Sequence, residues 1–282
     1  MSTPMDRRIT SYYRDGLTFD VRDEGPLDGR VAVLLHGFPE RGSSWRDVAP
    51  VLHSRGIRTL APDQRGYSPG ARPRRRRDYR VPLLVDDVTA LVERTGGPVD
   101  VVGHDWGAIV GWGLASTRPD LVRTLTAVSV PHPGAFLRAM LTSDQGVKSR
   151  YMLVFQLPFL PERWARQAGG RFDREFRNGG MTADDVARFR REIVDYGALP
   201  GGLAWYRAMF LTDPRATRGR VPVPTTYVWS DRDVAVTRHA AELCGRYVTG
   251  PYRFAVLEGV THWIPTQAPE PLAALILARI LG

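Results

Sequence analysis

Cysteine, lysine and long apolar runs are nearly absent from this sequence. Cys244 is its single cysteine and Lys148 its single lysine. One cysteine cannot form an intrachain disulfide, so a reducing compartment is acceptable for the protein. No apolar run approaches the ~18 residues of a membrane span, and the polar first residues contain no apolar leader. We therefore expect a cytoplasmic protein that does not insert into a membrane.

Positive charge is plentiful but comes almost wholly from arginine. The net charge is +9 at pH 7, and the densest basic run is RPRRRR at residues 72–77. A nucleic-acid interface needs basic residues spread over one face, with aromatic or polar partners for the bases. This run is instead a single cluster, which Pro73 interrupts and the turn residues Ser68, Pro69 and Gly70 precede. We interpret it as a solvated loop and expect no nucleic-acid partner.

The hydrophobic pattern alternates between short buried strands and helices. Strands are predicted at residues 17–21, 31–35, 57–61, 99–102, 125–130, 225–229 and 254–257. Helices are predicted at residues 45–52, 83–92, 108–116, 238–245 and 272–281. Such alternation is typical of an α/β protein with a mostly parallel, doubly wound sheet.

The alternation is interrupted once, between residues 134 and 213. This segment contains no convincing strand, is rich in aromatic residues and favours helices. We therefore predict a single α/β core, formed by residues 1–133 and 214–282. The helical insertion at residues 134–213 is called the cap segment below.

A glycine-flanked turn follows the predicted strand at residues 99–102. The sequence GHDWG at residues 103–107 matches G-x-S-x-G, the sharp strand-to-helix turn that presents a catalytic serine, but Asp105 replaces the serine. The two glycines permit the tight turn, and the start of the helix supplies backbone N–H groups beside the carboxylate. By itself, the pattern fits an aspartate that caps a helix equally well.

Two further groups follow later strands, in the order that completes a catalytic triad. His262 follows the strand at 254–257, while Asp231 and Asp233 both follow the strand at 225–229. Asp233 precedes an apolar Val-Ala-Val stretch and should point inward, whereas Asp231 is typical of a turn. We predict Asp233 as the acid, with Asp231 as the alternative. No cluster has the spacing of metal ligands, so we predict neither a metal nor a cofactor.

A carboxylate at the tip of this turn suits a different reaction from a serine. Its attack on a carbonyl would give a reactive anhydride, whereas displacement at an sp³ carbon gives a stable alkyl ester on Asp105. His262, oriented by Asp233, can then activate water to hydrolyse that ester. The resulting oxyanion needs two donors, for which the backbone N–H groups of Phe38 and Trp106 are the candidates.

Residues 31–282 resemble the epoxide hydrolases of the α/β-hydrolase fold. The resemblance rests on HGFP at 36–39, GHDWG at 103–107, the cap segment, and the late aspartate and histidine. It implies an α/β-hydrolase fold and the conversion of an epoxide with water into a vicinal diol. In that family two cap tyrosines donate hydrogen bonds to the epoxide oxygen, and the contexts of Tyr151 and Tyr206 match theirs. Aromatic cap residues imply an apolar or aromatic epoxide.

A dehalogenase and a non-catalytic binding protein stay open as alternative interpretations. Haloalkane dehalogenases share the aspartate turn, but they usually place Asn after His-Gly, where this chain has Phe38. Fluoroacetate dehalogenases place Arg after the nucleophile, where Trp106 stands here. A non-catalytic ligand-binding member of the fold would need the pocket but not Asp105. We therefore expect an epoxide hydrolase, with a homodimer left open.

Overall fold

The computed structural model describes residues 7–213 and 219–282. In these residues, eight strands form one sheet. They are β1 (Ser11–Arg14), β2 (Leu17–Glu24), β3 (Arg30–Leu35), β4 (Ile57–Pro62), β5 (Val99–His104), β6 (Val122–Val128), β7 (Thr225–Ser230) and β8 (Tyr252–Leu257). Their order across the sheet is β1-β2-β4-β3-β5-β6-β7-β8.

The sheet is parallel except at one edge. From β4 to β8 neighbouring strands are parallel, while β2 is antiparallel to both β1 and β4. The prediction of a mostly parallel sheet is confirmed. Strand β1 is not among the strands predicted from the sequence. Within β1 only Tyr12 is buried, and its ring stacks on Phe19 at 4.7 Å. One buried side chain gives no alternation long enough to predict a strand.

Helices flank the sheet and form the insertion. The α-helices of the described residues are α1 (Ala49–His53), α2 (Val81–Glu93), α3 (Trp106–Thr117), α4 (Pro133–Thr142), α5 (Gln145–Lys148), α6 (Tyr151–Val154), α7 (Leu160–Arg166), α8 (Arg171–Asn178), α9 (Ala183–Phe189), α10 (Leu199–Met209), α11 (Arg238–Glu242), α12 (Ile264–Gln267) and α13 (Pro269–Leu281). The predicted helices at 45–52 and 238–245 are each divided into a 3₁₀ turn and a short α-helix.

Both faces of the sheet are covered, which explains the continuous apolar strands. In β3, Val33 and Leu35 pack into the core on the side of α2 and α3. Ala32 and Leu34 pack on the opposite side, with residues of α1 and α13. All four side chains are fully buried. A strand that is buried on both faces does not alternate between apolar and polar residues.

The cap segment contacts the core near the end of β5. Between β6 and β7, the described residues form helices α4 to α10 and no strand. Trp205 of α10 is fully buried, and its indole Nε1 donates to the backbone O of Arg65 at 2.9 Å. The Trp205 ring also lies 5.6 Å from that of Trp106. Helix α4 already begins at Pro133, so the exact boundaries of the cap segment stay a prediction.

The carboxyl ends of the central strands meet at one edge of the sheet. Leu35 of β3 pairs with Gly103 of β5, and His104 pairs with Val128 of β6. Strand β6 ends there because the next residue, Ser129, adopts a φ of 66°. Residues that follow these strands are therefore brought together. Among the described residues, no helix is long and apolar enough to cross a membrane.

Candidate active site

Asp105 lies at the tip of the turn between β5 and α3. Its φ of 53° is a left-handed value that is strained for a non-glycine residue. The turn requires glycines: a Cβ at Gly103 would lie 2.2 Å from the backbone O of Gly107, and one at Gly107 would lie 2.1 Å from the backbone O of Leu35. The Asp105 side chain makes no capping hydrogen bond to any described residue. Asp105 thus occupies the N-cap position of α3, but its side chain does not cap the helix.

His262 links two carboxylates. Its Nε2 lies 3.5 Å from Oδ2 of Asp105, and its Nδ1 lies 2.8 Å from Oδ2 of Asp233. The other oxygen of Asp233 accepts hydrogen bonds from the backbone N–H groups of Ala235 at 2.7 Å and Val236 at 2.9 Å. Because both of its oxygens are engaged, the Asp233 carboxylate has a fixed orientation toward the imidazole.

Asp231, the alternative acid, forms a hydrogen bond in a surface turn. It is exposed, and its Oδ1 accepts a hydrogen bond from the backbone N–H of Gly259 at 2.7 Å. This bond closes the turn after β8, where Gly259 has a φ of 75°. Of the two candidates, the structure thus brings Asp233 to His262 and leaves Asp231 in a surface turn.

The two carboxylates determine the charge of the imidazole. Burial lowers the pKa of His262, but the negative charges of Asp233 and Asp105 and their hydrogen bonds outweigh this effect and raise the pKa to about 10. Burial likewise opposes ionisation of Asp105, yet the contact with His262 and the N–H of Phe38 keep the pKa of Asp105 below its ordinary value. At neutral pH the resting site therefore holds an Asp105 carboxylate beside an imidazolium.

Two backbone N–H groups lie at the turn. Phe38, which follows β3 in the HGFP loop, donates its N–H to Oδ1 of Asp105 at 2.8 Å. Trp106 is the first residue of α3, so its N–H has no partner within the helix. The side chains of Phe38 and Trp106 are both buried. The structure thus places one predicted oxyanion donor on the carboxylate and the other at the helix start beside it.

The two cap tyrosines converge on Asp105 although 55 positions separate them in the sequence. Tyr151 and Tyr206 have ring centroids 6.1 Å apart, and both line cavities that contain Asp105. Burial and the charge of Asp105 raise the pKa of Tyr151. Burial, Tyr151 and Asp105 raise the pKa of Tyr206 well above its ordinary value. Both phenols are therefore protonated donors at neutral pH.

Two cavities meet at Asp105 and the tyrosine pair. The smaller one, here called the apolar chamber, has a volume of about 170 Å³. Its other lining residues are mostly apolar and include Val81, Ile109, Phe136, Leu137, Met152 and Met209. The larger one, called the wide chamber, measures about 730 Å³ and is also lined by His262, Phe155 and Trp263. A molecule bound at Asp105 can thus extend in two directions.

Sequence reasoning missed one buried polar residue that contacts the segment after Asp233. Gln145 of α5 is fully buried, and its side-chain amide contacts the backbone of Ala235 and Thr237. No motif marks this residue, because α5 is a single turn without an apolar pattern. Among the described residues, no group of three histidine, cysteine or carboxylate side chains could hold a metal ion.

The comparisons with known proteins agree with this arrangement. Residues 32–275 match the alpha/beta hydrolase family. The AB hydrolase superfamily protein YfhM of Bacillus subtilis is 35% identical, over 93% of this chain and 94% of that protein. Epoxide hydrolase 3 of Mus musculus is 30% identical, over 91% of this chain and 72% of that protein.

A solved structure extends the similarity to three dimensions. An epoxide hydrolase from Vigna radiata superimposes with a TM-score of 0.79 and 28% identity, and the match covers 96% of each chain. The predicted α/β-hydrolase fold and the predicted relationship are both confirmed. The chain belongs to the alpha/beta hydrolase family and, within it, to the epoxide hydrolases.

Proposed function

We propose that this protein hydrolyses apolar or aromatic epoxides to vicinal diols through an ester on Asp105. The position of Asp105 carries the proposal. Its carboxylate lies 3.5 Å from the imidazole of His262 and accepts the N–H of Phe38. It also lines the same two chambers as the paired phenols Tyr151 and Tyr206. A binding protein would need the chambers but not a strained, buried carboxylate between a base and two acids.

The first half-reaction is displacement at an epoxide carbon. An oxygen of Asp105 forms a C–O bond to that carbon, and the electron pair of the breaking C–O bond goes to the epoxide oxygen. Hydrogen bonds from Tyr151 and Tyr206 stabilise the developing alkoxide. The alkoxide takes up one proton, balanced by the proton that the His262 imidazolium gives up, and becomes the first hydroxyl group of the diol. Ring strain in the epoxide and fixed donors both favour this step.

The second half-reaction is hydrolysis of the ester. Neutral His262, with Nδ1 directed at Asp233, takes a proton from water while the water oxygen attacks the carbonyl carbon of Asp105. The N–H groups of Phe38 and Trp106 stabilise the tetrahedral oxyanion. When the bond between the acyl carbon and the diol oxygen breaks, its electron pair goes to that oxygen, which takes the proton from His262 and becomes the second hydroxyl group. The acid formed on Asp105 then gives its proton to the imidazole, which restores the carboxylate beside the imidazolium.

The chambers support an apolar substrate. An apolar cavity of about 150 Å³ is large enough to bind benzene, and the apolar chamber measures about 170 Å³. It would accept a phenyl group or a short alkyl chain on one epoxide carbon. The wide chamber has room for a larger substituent on the other carbon.

Halide displacement is the competing reaction of an aspartate nucleophile. A leaving halide needs N–H donors, whereas an alkoxide needs donors that can also supply a proton. Phe38 has no polar side-chain group, and the ring of Trp106 packs in a T-shaped arrangement against the ring of Tyr206, with the centroids 5.0 Å apart. The two phenols that face Asp105 therefore favour the epoxide.

The proposal is tested by trapping the ester in the His262→Gln variant. Alkylation does not need the base, so an aryl epoxide should add its full mass to the protein, on the peptide that contains Asp105. The reaction is run at about pH 8, because loss of the imidazolium lets burial raise the pKa of Asp105. Intact-protein mass spectrometry of the variant and of its peptides makes the measurement.

The exposed histidine of α11 supplies the matched control. His239→Gln should turn over the epoxide like the wild type and accumulate no ester. With 1-chlorobutane, neither protein should form an adduct. A His262→Gln variant that stays unmodified while the wild type forms diol would refute the covalent mechanism and leave direct attack by water.

A further inference from the structure

Helix α5 of the cap segment is bonded to the segment that carries the triad acid. Gln145 is fully buried. Its amide Nε2 donates to the backbone O of Ala235 at 2.7 Å, and its Oε1 accepts the backbone N–H of Thr237 at 2.8 Å. The single side chain thus satisfies an acceptor and a donor on consecutive peptide groups of the acid segment, defined here as residues 233–237.

A second side chain of the same helix contacts the acid itself. Nζ of Lys148 donates to the backbone O of Asp233 at 3.1 Å. Lys148 is the only lysine among the 39 basic residues of the chain. The ammonium of a lysine is a compact charge on a flexible stem, so it can donate to this single carbonyl oxygen.

One peptide group connects Gln145 to the carboxylate of Asp233. The carbonyl O of Ala235 and the N–H of Val236 belong to the same peptide unit. This unit accepts the hydrogen bond of Gln145 at its oxygen and donates to Oδ1 of Asp233 at 2.9 Å through its N–H. A bond accepted at the oxygen polarises the unit and strengthens the bond that its N–H donates. Gln145 is therefore connected to Oδ1 of Asp233, while His262 contacts Oδ2 of the same carboxylate.

We propose that Gln145, assisted by Lys148, is a positioning residue for Asp233 and so controls how well His262 activates water. The proposal rests on the triad of the proposed function. It assigns to the cap segment a part in ester hydrolysis in addition to carrying the tyrosines. Without these bonds the acid segment can rotate, and Oδ2 of Asp233 no longer holds Nδ1 of His262 in one orientation.

Measuring the two half-reactions separately distinguishes a role in positioning Asp233 from a role in stabilising the fold. Gln145→Met keeps the length of the side chain but removes its two hydrogen bonds to the acid segment. We expect alkylation of Asp105 at the wild-type rate and ester hydrolysis about tenfold slower, the factor that corresponds to one such hydrogen bond. Rapid quench followed by mass spectrometry gives both rates, and the ester should accumulate in the steady state of the variant.

Two control variants remove other bonds of the cap segment. Ser149→Ala deletes the remaining partner of the Gln145 amide, at 3.0 Å, without touching residues 233–237. Thr182→Ala removes the capping box of α9, far from the acid in the sequence. Both should keep the wild-type ratio of the two rates.

Lys148→Met, a milder change at a partly exposed residue, should slow ester hydrolysis but not alkylation. Lys148→Arg should restore part of the hydrolysis rate.

A spectroscopic signature is measured in parallel. The proton in the hydrogen bond between Nδ1 of His262 and Asp233 should give a downfield NMR resonance, which Gln145→Met shifts or broadens and Thr182→Ala does not. Equal hydrolysis rates and an unchanged resonance in folded Gln145→Met and Lys148→Met would overturn the inference. A wild type that forms no ester on Asp105 would instead refute the proposed function.

Discussion

Replacement of Asp105 by asparagine should lower the pKa of His262. In the resting site, burial opposes a proton on the imidazole, but Asp233 and Asp105 together raise its pKa to about 10. Asp105→Asn removes one of these two charges and keeps the shape of the side chain. Asp233 stays at 2.8 Å from Nδ1, so part of the elevation should remain.

The separation of the charges gives the magnitude. Nε2 of His262 lies 3.5 Å from Oδ2 of Asp105. At an effective dielectric constant of ~20, an ion pair at this distance contributes roughly 5 kcal/mol. One pKa unit corresponds to about 1.4 kcal/mol, so this energy sets an upper limit of ~3 to 4 units. Measured effects of one opposite charge at such distances are about 1–3 units, and we expect a fall in that range.

Titration by NMR measures the effect directly. Histidine ring signals are followed against pH in the wild type and in Asp105→Asn, with His262→Gln used to assign the signal. Asp231→Asn is the matched control, since Asp231 is exposed and accepts the N–H of Gly259 in a surface turn. An unchanged His262 titration in Asp105→Asn, with the control also unchanged, would show that Asp105 does not set the charge of the imidazole.

The same shift predicts a pH dependence of stability. The pKa of His262 in the folded protein lies above its ordinary value of 6.5. Its contribution to the free energy of unfolding is therefore fully present below pH 6.5 and is lost as the pH rises through about 10. Asp105→Asn lowers the upper limit of this window. Thermal unfolding at a series of pH values should show a smaller alkaline loss of stability for the variant.

Three further outcomes are expected. Asp233→Asn should reduce turnover by several orders of magnitude, because loss of the correct histidine tautomer costs roughly 10⁴-fold in comparable triads. Asp231→Asn should turn over substrate at nearly the wild-type rate. Tyr151→Phe and Tyr206→Phe should each slow alkylation, by up to ~10²–10³-fold per lost donor. The double variant should lose epoxide activity, although its circular dichroism spectrum should show that it remains folded. Met209→Trp, which fills the apolar chamber, should raise KM for aryl epoxides more than for epoxides with a methyl group.

The proximity of the three residues of the proposed triad could be predicted because they follow parallel strands. Asp105, Asp233 and His262 come after β5, β7 and β8, whose carboxyl ends lie at the same edge of the sheet. Their proximity follows from topology and needs no knowledge of side-chain packing. The choice of Asp233 over Asp231 depended on one additional fact, the apolar stretch after it, and the structure places the two residues as that stretch indicates.

The cap residues could not be predicted in this way. Tyr151 and Tyr206 were identified by resemblance alone, since nothing in a helical insertion fixes which face of α6 or α10 turns toward Asp105. Gln145 was not identified at all, because its contacts join a four-residue helix to a loop on another part of the chain. The volumes of the two chambers depend on the packing of side chains across this boundary, which periodicity does not describe.

The resting ion pair has a consequence for the order of the two half-reactions. As an imidazolium, His262 cannot accept a proton, so the site cannot activate water while Asp105 is a free carboxylate. In the proposed cycle, alkylation replaces the charge of Asp105 by a neutral ester and removes the main reason, besides Asp233, for the imidazole to hold its proton.

The protons that the proposed cycle consumes and releases are then balanced within the site. Opening the epoxide consumes one proton, as the alkoxide becomes a hydroxyl, and the imidazolium loses one as its pKa falls. Ester hydrolysis releases one proton, which neutral His262 accepts as the Asp105 carboxylate returns. Because the charge of Asp105 sets the protonation of His262, each half-reaction leaves the imidazole in the state that the next one requires. This coupling needs the 3.5 Å separation of the two side chains, and a serine at the same turn, which carries no charge, could not provide it.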